Sequence, residues 1–239
     1  GLSGLLATMQ FYVPVIITFH GSDVNMDKNY IFSRIASRLS TTNIFVHQSL
    51  QKKLKIYKNP INIIPCGYNN NRFFPLSKNK AREVLKWKKS KHYIVFSSSF
   101  NNKIKNVQLA KLAISNINNC KLIELKGYKK EQINLILNAS DLLLVTSLSE
   151  TGPIIVKEAL ACNCPIISTN VGDVQKLIRN VNNCYISSYN PEDIKKRINQ
   201  VFRNNKRTNG QKIIKNFNLE NIAYKIIDVY KKTLNDCIS

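Results

Sequence analysis

The chain has 239 residues, of which 44% are hydrophobic and 21% are charged, a composition typical of folded globular proteins and not of disordered chains. Lysine and arginine number 36 against 14 aspartate and glutamate residues, which gives a net charge of +22. All apolar runs are far shorter than the ~20 residues that a membrane-spanning helix needs, so the sequence excludes a transmembrane protein.

Eight short runs rich in isoleucine, valine and leucine predict β-strands. Their apolar residues are continuous instead of alternating, which is typical of strands covered on both faces of a parallel sheet. The predicted strands comprise residues 13–19, 43–47, 61–64, 93–97, 121–125, 141–146, 165–168 and 184–187.

Amphipathic helical patterns separate these strands. In one of them, Val107, Ala110, Ile114 and Ile117 form a single apolar stripe. Alternation of strand and helix predicts an α/β fold with a doubly wound parallel sheet, in which ligands bind beyond the carboxyl ends of the strands. The predicted helices comprise residues 30–39, 50–57, 81–87, 107–117, 132–138, 154–161 and 220–234.

A segment bounded by proline and rich in glycine and asparagine, residues 65–75, predicts a linker between two domains. Three predicted strands precede it, so we expect residues 1–75 to form a partial Rossmann-like domain with its linker. Residues 76–218 are expected to form a complete Rossmann-like domain, followed by a C-terminal helical segment in residues 219–239. The chain starts with neither an initiator methionine nor the basic region of a signal peptide, so we expect it to be cut from a longer protein.

The six cysteines offer no recognisable metal site. Cys162 and Cys164 form the only close pair, and no histidine lies near them in the sequence. We therefore expect thiols that pack as small apolar groups in a reducing compartment, which predicts a cytoplasmic protein without a bound metal.

The charge of +22 has two interpretations. It can serve a polyanionic partner, such as nucleic acid, an anionic membrane surface or a phosphate-bearing substrate. Alternatively it reflects a compositional bias, since lysine is spread along the chain instead of being clustered. Nucleic acid is disfavoured because the sequence has no zinc-ligand spacing, no RNA-stacking motif and no basic zipper.

Residues 140–165 carry the most informative pattern: a buried strand, a short polar loop and a helix that begins near Gly152 and Pro153. Proline is favoured at the first helical position because its missing N–H has no intrahelical partner there. The amides of Gly152, Ile154 and Ile155 then point outward from the positive end of the helix dipole, which suits a phosphate.

Two glutamates accompany this helix start. Glu150 precedes the helix, and Glu158 lies about a turn and a half inside it. Carboxylates at an anion site indicate a ligand that also presents hydroxyl groups, for which a sugar is the obvious candidate. Spacing alone equally allows a structural role, with Glu150 stabilising the helix N-terminus and Glu158 on a solvated face.

Glu150-x7-Glu158 and the sequence ALACNCPIISTNVG that follows it resemble the signature of retaining glycosyltransferase family 4, whose members have the GT-B fold of two Rossmann-like domains. Further segments resemble, in order, the family's strand that ends in a histidine, its interdomain linker and its C-terminal segment that crosses back to the first domain. These segments are residues 18–23, 63–75 and 217–220. The resemblance covers essentially the whole chain, although the front part of the family's first domain has no counterpart.

The resemblance implies roles for individual residues. Glu150 contacts the transferred sugar, and Glu158 binds the ribose hydroxyls of the nucleotide. The loop around Gly152, Pro153 and Ile154 holds the diphosphate.

The resemblance also assigns a donor-sugar contact to His20, at a strand end of the first domain, although a lone histidine is more often structural. The family carries an arginine and then a lysine on the first loop of its second domain. Lys105 matches the lysine, Phe100 stands in place of the arginine, and Lys103 offers a second charge. Asn163 replaces a usual glycine at a helix end, where it tolerates left-handed backbone.

The implied activity is transfer of a sugar of the hexosyl type, with retention at the anomeric carbon, from a nucleoside diphosphate sugar to a saccharide or lipid-linked acceptor. Such a reaction belongs to cell-surface polysaccharide or glycolipid synthesis. Positive charge from Lys105 and the helix amides stabilises the leaving diphosphate, and no cofactor or metal is expected because the sequence has no Asp-x-Asp motif. A peripheral contact with the anionic inner face of a membrane is a further prediction.

Three alternatives remain open. A GT-B epimerase or phosphorylase has the same fold, although no context marks a pyridoxal-bearing lysine. An inactive remnant that still binds nucleotide sugar fits the incomplete first domain. A basic module for nucleic acid or membranes fits the charge, and a steep salt dependence of polyanion binding would favour it.

Overall fold

The computed structural model describes residues 1–57 and 59–238, so Ser239, the last residue of the predicted C-terminal segment, lies outside the described residues. The chain divides into two compact units. Unit 1 comprises Gly1–Gly67 together with the segment that begins at Leu219, and unit 2 comprises Tyr68–Asn218.

Eight strands in the described part of the chain form two parallel sheets, one in each unit. They are β1 (Ile16–Phe19), β2 (Thr42–Phe45), β3 (Ile61–Ile63), β4 (His92–Phe96), β5 (Cys120–Glu124), β6 (Leu142–Val145), β7 (Ile166–Thr169) and β8 (Tyr185–Ser187). The spatial order is β1-β2-β3 in unit 1 and β5-β4-β6-β7-β8 in unit 2, with every neighbouring pair parallel. Each strand overlaps one predicted run, which confirms the predicted α/β fold with parallel sheets.

Helices connect the strands and flank the sheets. They are α1 (Leu2–Ala7), α2 (Ser22–Asn25), α3 (Asp27–Leu39), α4 (Gln48–Leu54), α5 (Lys78–Val84), α6 (Val107–Ile114), α7 (Lys130–Ala139), α8 (Ile154–Ala161), α9 (Val174–Ile178), α10 (Pro191–Asn204), α11 (Gly210–Ile214) and α12 (Leu219–Ile238). The seven predicted helices are confirmed, with small shifts at their ends, as α3 to α8 and α12. The other five are additional to the prediction.

In unit 1, β2 is buried along its whole length, and its two apolar residues, Ile44 and Phe45, enter different apolar clusters. Phe45 stacks on Phe19 with 4.9 Å between ring centroids. On the opposite face, Ile44 packs with Ile222 and Val229 of α12. The C-terminal helix is therefore part of the core of unit 1.

In unit 2, the sheet also separates two apolar layers. Leu143 and Val145 of β6 enter one layer, and Leu142 and Leu144 enter the other, which is why the strand is apolar at every position. Residues 68–75 of the predicted linker fold with unit 2 because Phe73 is buried in the first of these layers.

The strand order places a topological switch in unit 2. β4 has β5 on one edge and β6 on the other, so successive strands are added in opposite directions from this point. Open α/β sheets bind their ligands at such a switch, beyond the carboxyl ends of the strands. The loop after β4, residues 97–102, and the loop after β6, residues 146–153, both begin there.

Candidate functional site

Residues 104–106, which follow the loop after β4, are hydrogen-bonded to the loop after β6 within unit 2. The Thr146 hydroxyl donates to the carbonyls of Lys105 and Asn106, both at 2.9 Å, and the Leu148 amide donates to the Ile104 carbonyl at 2.8 Å. Asn106 adopts left-handed backbone with φ 53° and begins α6 by accepting from the Leu109 amide. These contacts fix where the Lys105 side chain starts.

Lys105 and Glu150, which the sequence predicts for the same site, are in contact. The Lys105 Nζ donates to Glu150 Oε1, and the Ser147 hydroxyl donates to the same oxygen at 2.8 Å. Both side chains are mostly buried, with 18% of Lys105 and 13% of Glu150 exposed. Lys103, by contrast, is exposed on the short 3-10 turn Lys103–Lys105.

Phe100 occupies the loop position where the family that this sequence resembles has an arginine. Its ring packs on Phe96 with centroids 5.5 Å apart, and Lys111 Nζ lies 5.4 Å from its centroid. The Phe100 amide and the Ser99 hydroxyl both donate hydrogen bonds to the Glu124 carboxylate. The hydrogen bond from the Phe100 amide is the main reason that the pKa of Glu124 lies below its usual value. The aromatic residue therefore anchors the loop, and Lys105 supplies its inward-facing cation.

α8 comprises Ile154–Ala161, the bounds of the predicted helix. Pro153 is its N-cap, with an extended ψ of 113°, so proline stands one position before the first helical residue and not at it. The first-turn amides of Ile154 and Ile155 have no intrahelical acceptor. They form the positive end of the helix dipole, which favours an anion.

The loop after β7 comes close to the loop before α8, and glycine makes this approach feasible. Gly172 has φ +54°, and a Cβ at this position would lie 2.7 Å from the Thr151 carbonyl oxygen. A Cβ on Gly152 would lie 3.5 Å from both carboxylate oxygens of Asp173. Asp173 is therefore a neighbour of the proposed phosphate loop.

Two charged residues near this loop, Lys157 and Asp173, are not predicted from the sequence. The Lys157 side chain is fully buried, with its Nζ 3.7 Å from Asp173 Oδ2. The sequence does contain a signal for this pair, since Lys157 is the single charged residue in the otherwise apolar run before Glu158. A lysine on the buried side of a helix needs an anionic partner, which would have pointed to a nearby carboxylate.

Glu158 lies on the buried side of α8, so the alternative that placed it on a solvated face is wrong. Its side chain is 6% exposed, and the Nζ of Lys130, the first residue of α7, lies 3.2 Å from its Oε1. Burial raises the pKa of the Glu158 carboxyl, and the charge of Lys130 offsets part of that effect. A dehydrated carboxylate with one oxygen bonded to a cation retains acceptor capacity for ligand hydroxyls.

His20 belongs to unit 1, where it follows β1 and is exposed. Its amide donates to Asp23 Oδ2 at 2.9 Å, and its Nδ1 lies 3.8 Å from Cys66 Sγ. The backbone is thus anchored while the ring is accessible to a ligand.

All six cysteines are free thiols. Cys162 and Cys164 are buried as expected, whereas Cys237 is exposed, so the expectation of a packed thiol is wrong at that position. Burial raises the pKa of Cys184 to about 12 and that of Cys120 to about 11. Across residues 1–57 and 59–238, no group of three or more His, Cys, Asp and Glu side chains is arranged to hold a metal ion.

Within the same described ranges, none of the helices combines the length and apolar character needed to span a membrane.

Comparison with known proteins identifies relatives of this chain. Residues 111–218 match the protein family described as glycosyl transferases group 1. An uncharacterized glycosyltransferase of Methanocaldococcus jannaschii is 26% identical over 266 residues, covering 97% of this chain and 72% of that protein. A Bacillus subtilis protein named as a teichuronic acid biosynthesis glycosyltransferase, TuaC, is 26% identical over 194 residues, covering 69% of this chain and 49% of TuaC.

Solved structures share the fold. Sucrose-phosphate synthase from Thermosynechococcus elongatus superposes with a TM-score of 0.81 at 16% identity, covering 96% of this chain and 70% of that one. Anabaena HepE, solved in complex with UDP and glucose, superposes with a TM-score of 0.77 at 16% identity, covering 95% of this chain and 74% of HepE. The fold is therefore of the GT-B type, as predicted, and the family match and the relatives together support a glycosyltransferase.

Proposed function

We propose that unit 2 binds a nucleoside diphosphate sugar and that the protein transfers the sugar, of the hexosyl type, with retention of anomeric configuration. The observation that carries the proposal is the position of Glu150 and Glu158. They lie before and inside α8, with the amides of Ile154 and Ile155 between them in sequence, at the carboxyl edge of the sheet. Binding of UDP and glucose by the structurally similar HepE supports this class of donor.

In this proposal Glu158 accepts hydrogen bonds from the ribose hydroxyls. Its burial strengthens such bonds because few water molecules compete for the carboxylate. Lys130 forms an ion pair with Glu158 and compensates part of the carboxylate charge in the absence of ligand.

The diphosphate is held by the loop Gly152, Pro153 and Ile154 and by Lys105, with Lys103 as an outer charge. Departure of the sugar leaves a further negative charge on the diphosphate, and preorganised amides and a lysine stabilise that charge in the transition state. This role needs neither a metal nor another cofactor, so we propose that none takes part.

Glu150 and His20 contact the donor sugar in this proposal. Glu150 Oε1 already accepts from Lys105 and Ser147, and a carboxylate engaged with a cation is a weak nucleophile. We therefore favour front-face transfer, in which the acceptor hydroxyl attacks as the phosphate leaves, over a covalent glycosyl-enzyme.

Calorimetry with UDP, GDP and ADP tests the site. We expect one of them to bind, and Glu158→Ala to weaken binding by about 1–3 kcal/mol because the ribose hydroxyls lose their acceptor. Glu131→Ala is the matched control, since this α7 glutamate is 67% exposed and lies outside the site. Absence of binding by all three nucleotides would contradict the site assignment.

The acceptor is proposed to be a saccharide or lipid-linked saccharide of cell-surface polysaccharide synthesis, which the name of the TuaC relative supports. Transfer or hydrolysis of the bound donor distinguishes an enzyme from a remnant that only binds. A chain that binds the nucleotide but never releases sugar would favour the remnant.

We further propose that the protein works in the cytoplasm, at an anionic membrane face. In unit 1, α3 exposes Ile31, Ile35 and Leu39 in one stripe, with the exposed Lys28 and Arg38 on the same helix. An apolar stripe flanked by cations suits the surface of an anionic bilayer.

Sedimentation with phosphatidylglycerol-containing and pure phosphatidylcholine vesicles tests this partner. We expect binding to the anionic vesicles only, with a several-fold loss for the double substitution Ile35→Ser and Leu39→Ser. Ile213→Ser, at an exposed isoleucine of unit 2, is the control. Equal sedimentation with both kinds of vesicle would contradict the proposal.

A further inference from the structure

The buried pair of Lys157 and Asp173 lies at the base of the loop that precedes α8. The Lys157 side chain is fully buried, its Nζ is 3.7 Å from Asp173 Oδ2, and it lies 5.5 Å from the centroid of the Phe217 ring. A charged pair in such a place costs desolvation energy that its mutual attraction only partly returns. Its presence therefore needs a reason other than stability.

The Asp173 carboxylate is an unfavourable neighbour for an anion. A Cβ on Gly152 would lie 3.5 Å from both of its oxygens, so the carboxylate is next to the loop proposed to hold the diphosphate. Asp173 Oδ1 is buried without a hydrogen-bond partner among the described residues. An unscreened negative charge here would repel a phosphate through a medium of low dielectric constant.

Lys157 supplies the compensating charge from inside the unit. The Lys157 side chain is fully buried and that of Asp173 is only 13% exposed, so water screens this pair less than it screens a surface ion pair. The two residues belong to different elements, α8 and the loop after β7. Their attraction therefore also holds that loop against the loop of residues 150–152, where Gly172 leaves no space for a side chain.

We propose that Lys157 and Asp173 are positioning residues for diphosphate binding: Asp173 fixes the phosphate loop from behind, and Lys157 neutralises Asp173 so that the loop can accept an anion. This inference rests on the proposed function, because it assumes that the diphosphate binds at the start of α8. It adds two residues to the site that do not themselves touch the ligand.

The pair can be tested by comparing UDP with uridine, since only UDP carries the diphosphate. Lys157→Met leaves the Asp173 charge uncompensated, and we expect it to weaken UDP binding at least about tenfold while uridine binding changes less than about twofold. Adding Asp173→Asn to Lys157→Met removes that charge, so we expect the double variant to recover most of the affinity for UDP. GDP with guanosine and ADP with adenosine replace this pair if calorimetry shows that the protein prefers another base.

Lys176→Met is the matched control, because Lys176 is an exposed lysine three residues beyond Asp173. It removes the same formal charge and is expected to change UDP binding less than about twofold. Thermal unfolding of every variant identifies those that fail to fold, and the double variant keeps the test valid if Lys157→Met alone is too unstable.

A purely structural role gives a different result. It predicts equal losses for UDP and uridine in Lys157→Met and no recovery in the double variant, and either finding overturns the proposal. If the unchanged chain binds neither UDP, GDP nor ADP, the proposed function fails and this inference fails with it. If the unchanged chain binds and the variants show no selectivity for the diphosphate, only the inference fails.

Discussion

The two units share the same architecture, a parallel sheet with loops at its carboxyl edge, but they differ in net charge. Unit 2 holds 26 lysine and arginine and nine aspartate and glutamate residues, a net charge of +17 out of the total of +22. In unit 1 the net charge is +5. The basic character of the protein is therefore concentrated in the unit that carries the proposed donor site.

The units also differ in where their ionic groups lie. In unit 2, Asp141, Glu158 and Lys157 are all buried and each contacts a group of opposite charge. In unit 1, the loop after β1 presents His20, which is exposed and anchored by its backbone amide. Buried ion pairs fix loop positions at the cost of stability, so unit 2 is the unit in which we expect single charge changes to matter most.

The largest expected effect is at Asp141, which precedes β6. Burial alone would raise the pKa of this carboxyl, but contacts with Lys78, Arg82 and the Tyr93 amide outweigh burial and hold the pKa below its usual value. Asp141→Ala leaves the buried Arg82 without its anionic partner, and we expect unit 2 to lose about 3–5 kcal/mol of stability. Hydrogen exchange of β4 and β6 should accelerate, whereas exchange of β2 in unit 1 should not change.

The matched control is Asp228→Ala on the exposed face of α12, which we expect to change stability by less than about 0.5 kcal/mol. Because the folded-state pKa of Asp141 is depressed, its stabilisation is present above the unfolded pKa and is lost as pH falls through the folded value. Equal effects of the two substitutions would contradict the contrast between the units.

A smaller effect is expected at Gly172. Alanine there would combine a left-handed φ of +54° with a Cβ 2.7 Å from the Thr151 carbonyl, so the two loops must separate. We expect Gly172→Ala to cost about 1–3 kcal/mol of stability and to weaken nucleotide binding. Gly127→Ala is the control for the left-handed backbone, since its Cβ would meet no atom of the described residues within 4 Å. Unfolding in urea separates the effects, and the prediction fails if the two variants lose the same stability.

The subtlest expected effect concerns Glu158. Its raised pKa means that folding favours the protonated form, so its contribution to stability falls as pH rises from the unfolded pKa through the folded one. Glu158→Gln should therefore make stability less dependent on pH above the usual glutamate pKa, while nucleotide binding weakens. Urea unfolding from pH 4 to 8 measures the difference, and parallel pH profiles of the two proteins would contradict a buried Glu158 carboxyl with a raised pKa.

Local sequence signals were sufficient for much of the fold. The run Leu142–Val145 is apolar at every position, which marks a strand covered on both faces before any tertiary contact is known. α10 carries an equally local signal, since Asn190 caps it, Pro191 follows the cap, and Ile194 and Ile198 are buried. Its absence from the prediction reflects an overlooked start signal and not missing information.

Other features needed long-range contacts. The unit to which residues 68–75 belong depends on what Phe73 packs against, and a composition rich in asparagine and glycine indicates only that a loop is present. The position of Pro153 depends on a single ψ angle, and helix ends are commonly ambiguous by about one or two residues.

By itself, the sequence determined the order of the strands, seven of the helices, the parallel α/β class and the placement of Glu150 and Glu158 around one helix start, because strand ends and helix starts are encoded by neighbouring residues. Only the tertiary structure decided that Glu158 is buried beside Lys130 and that the buried Lys157 lies 3.7 Å from Asp173, next to Gly152. Burial and charge pairing depend on residues that are distant in sequence and adjacent in space. No local pattern contains that information.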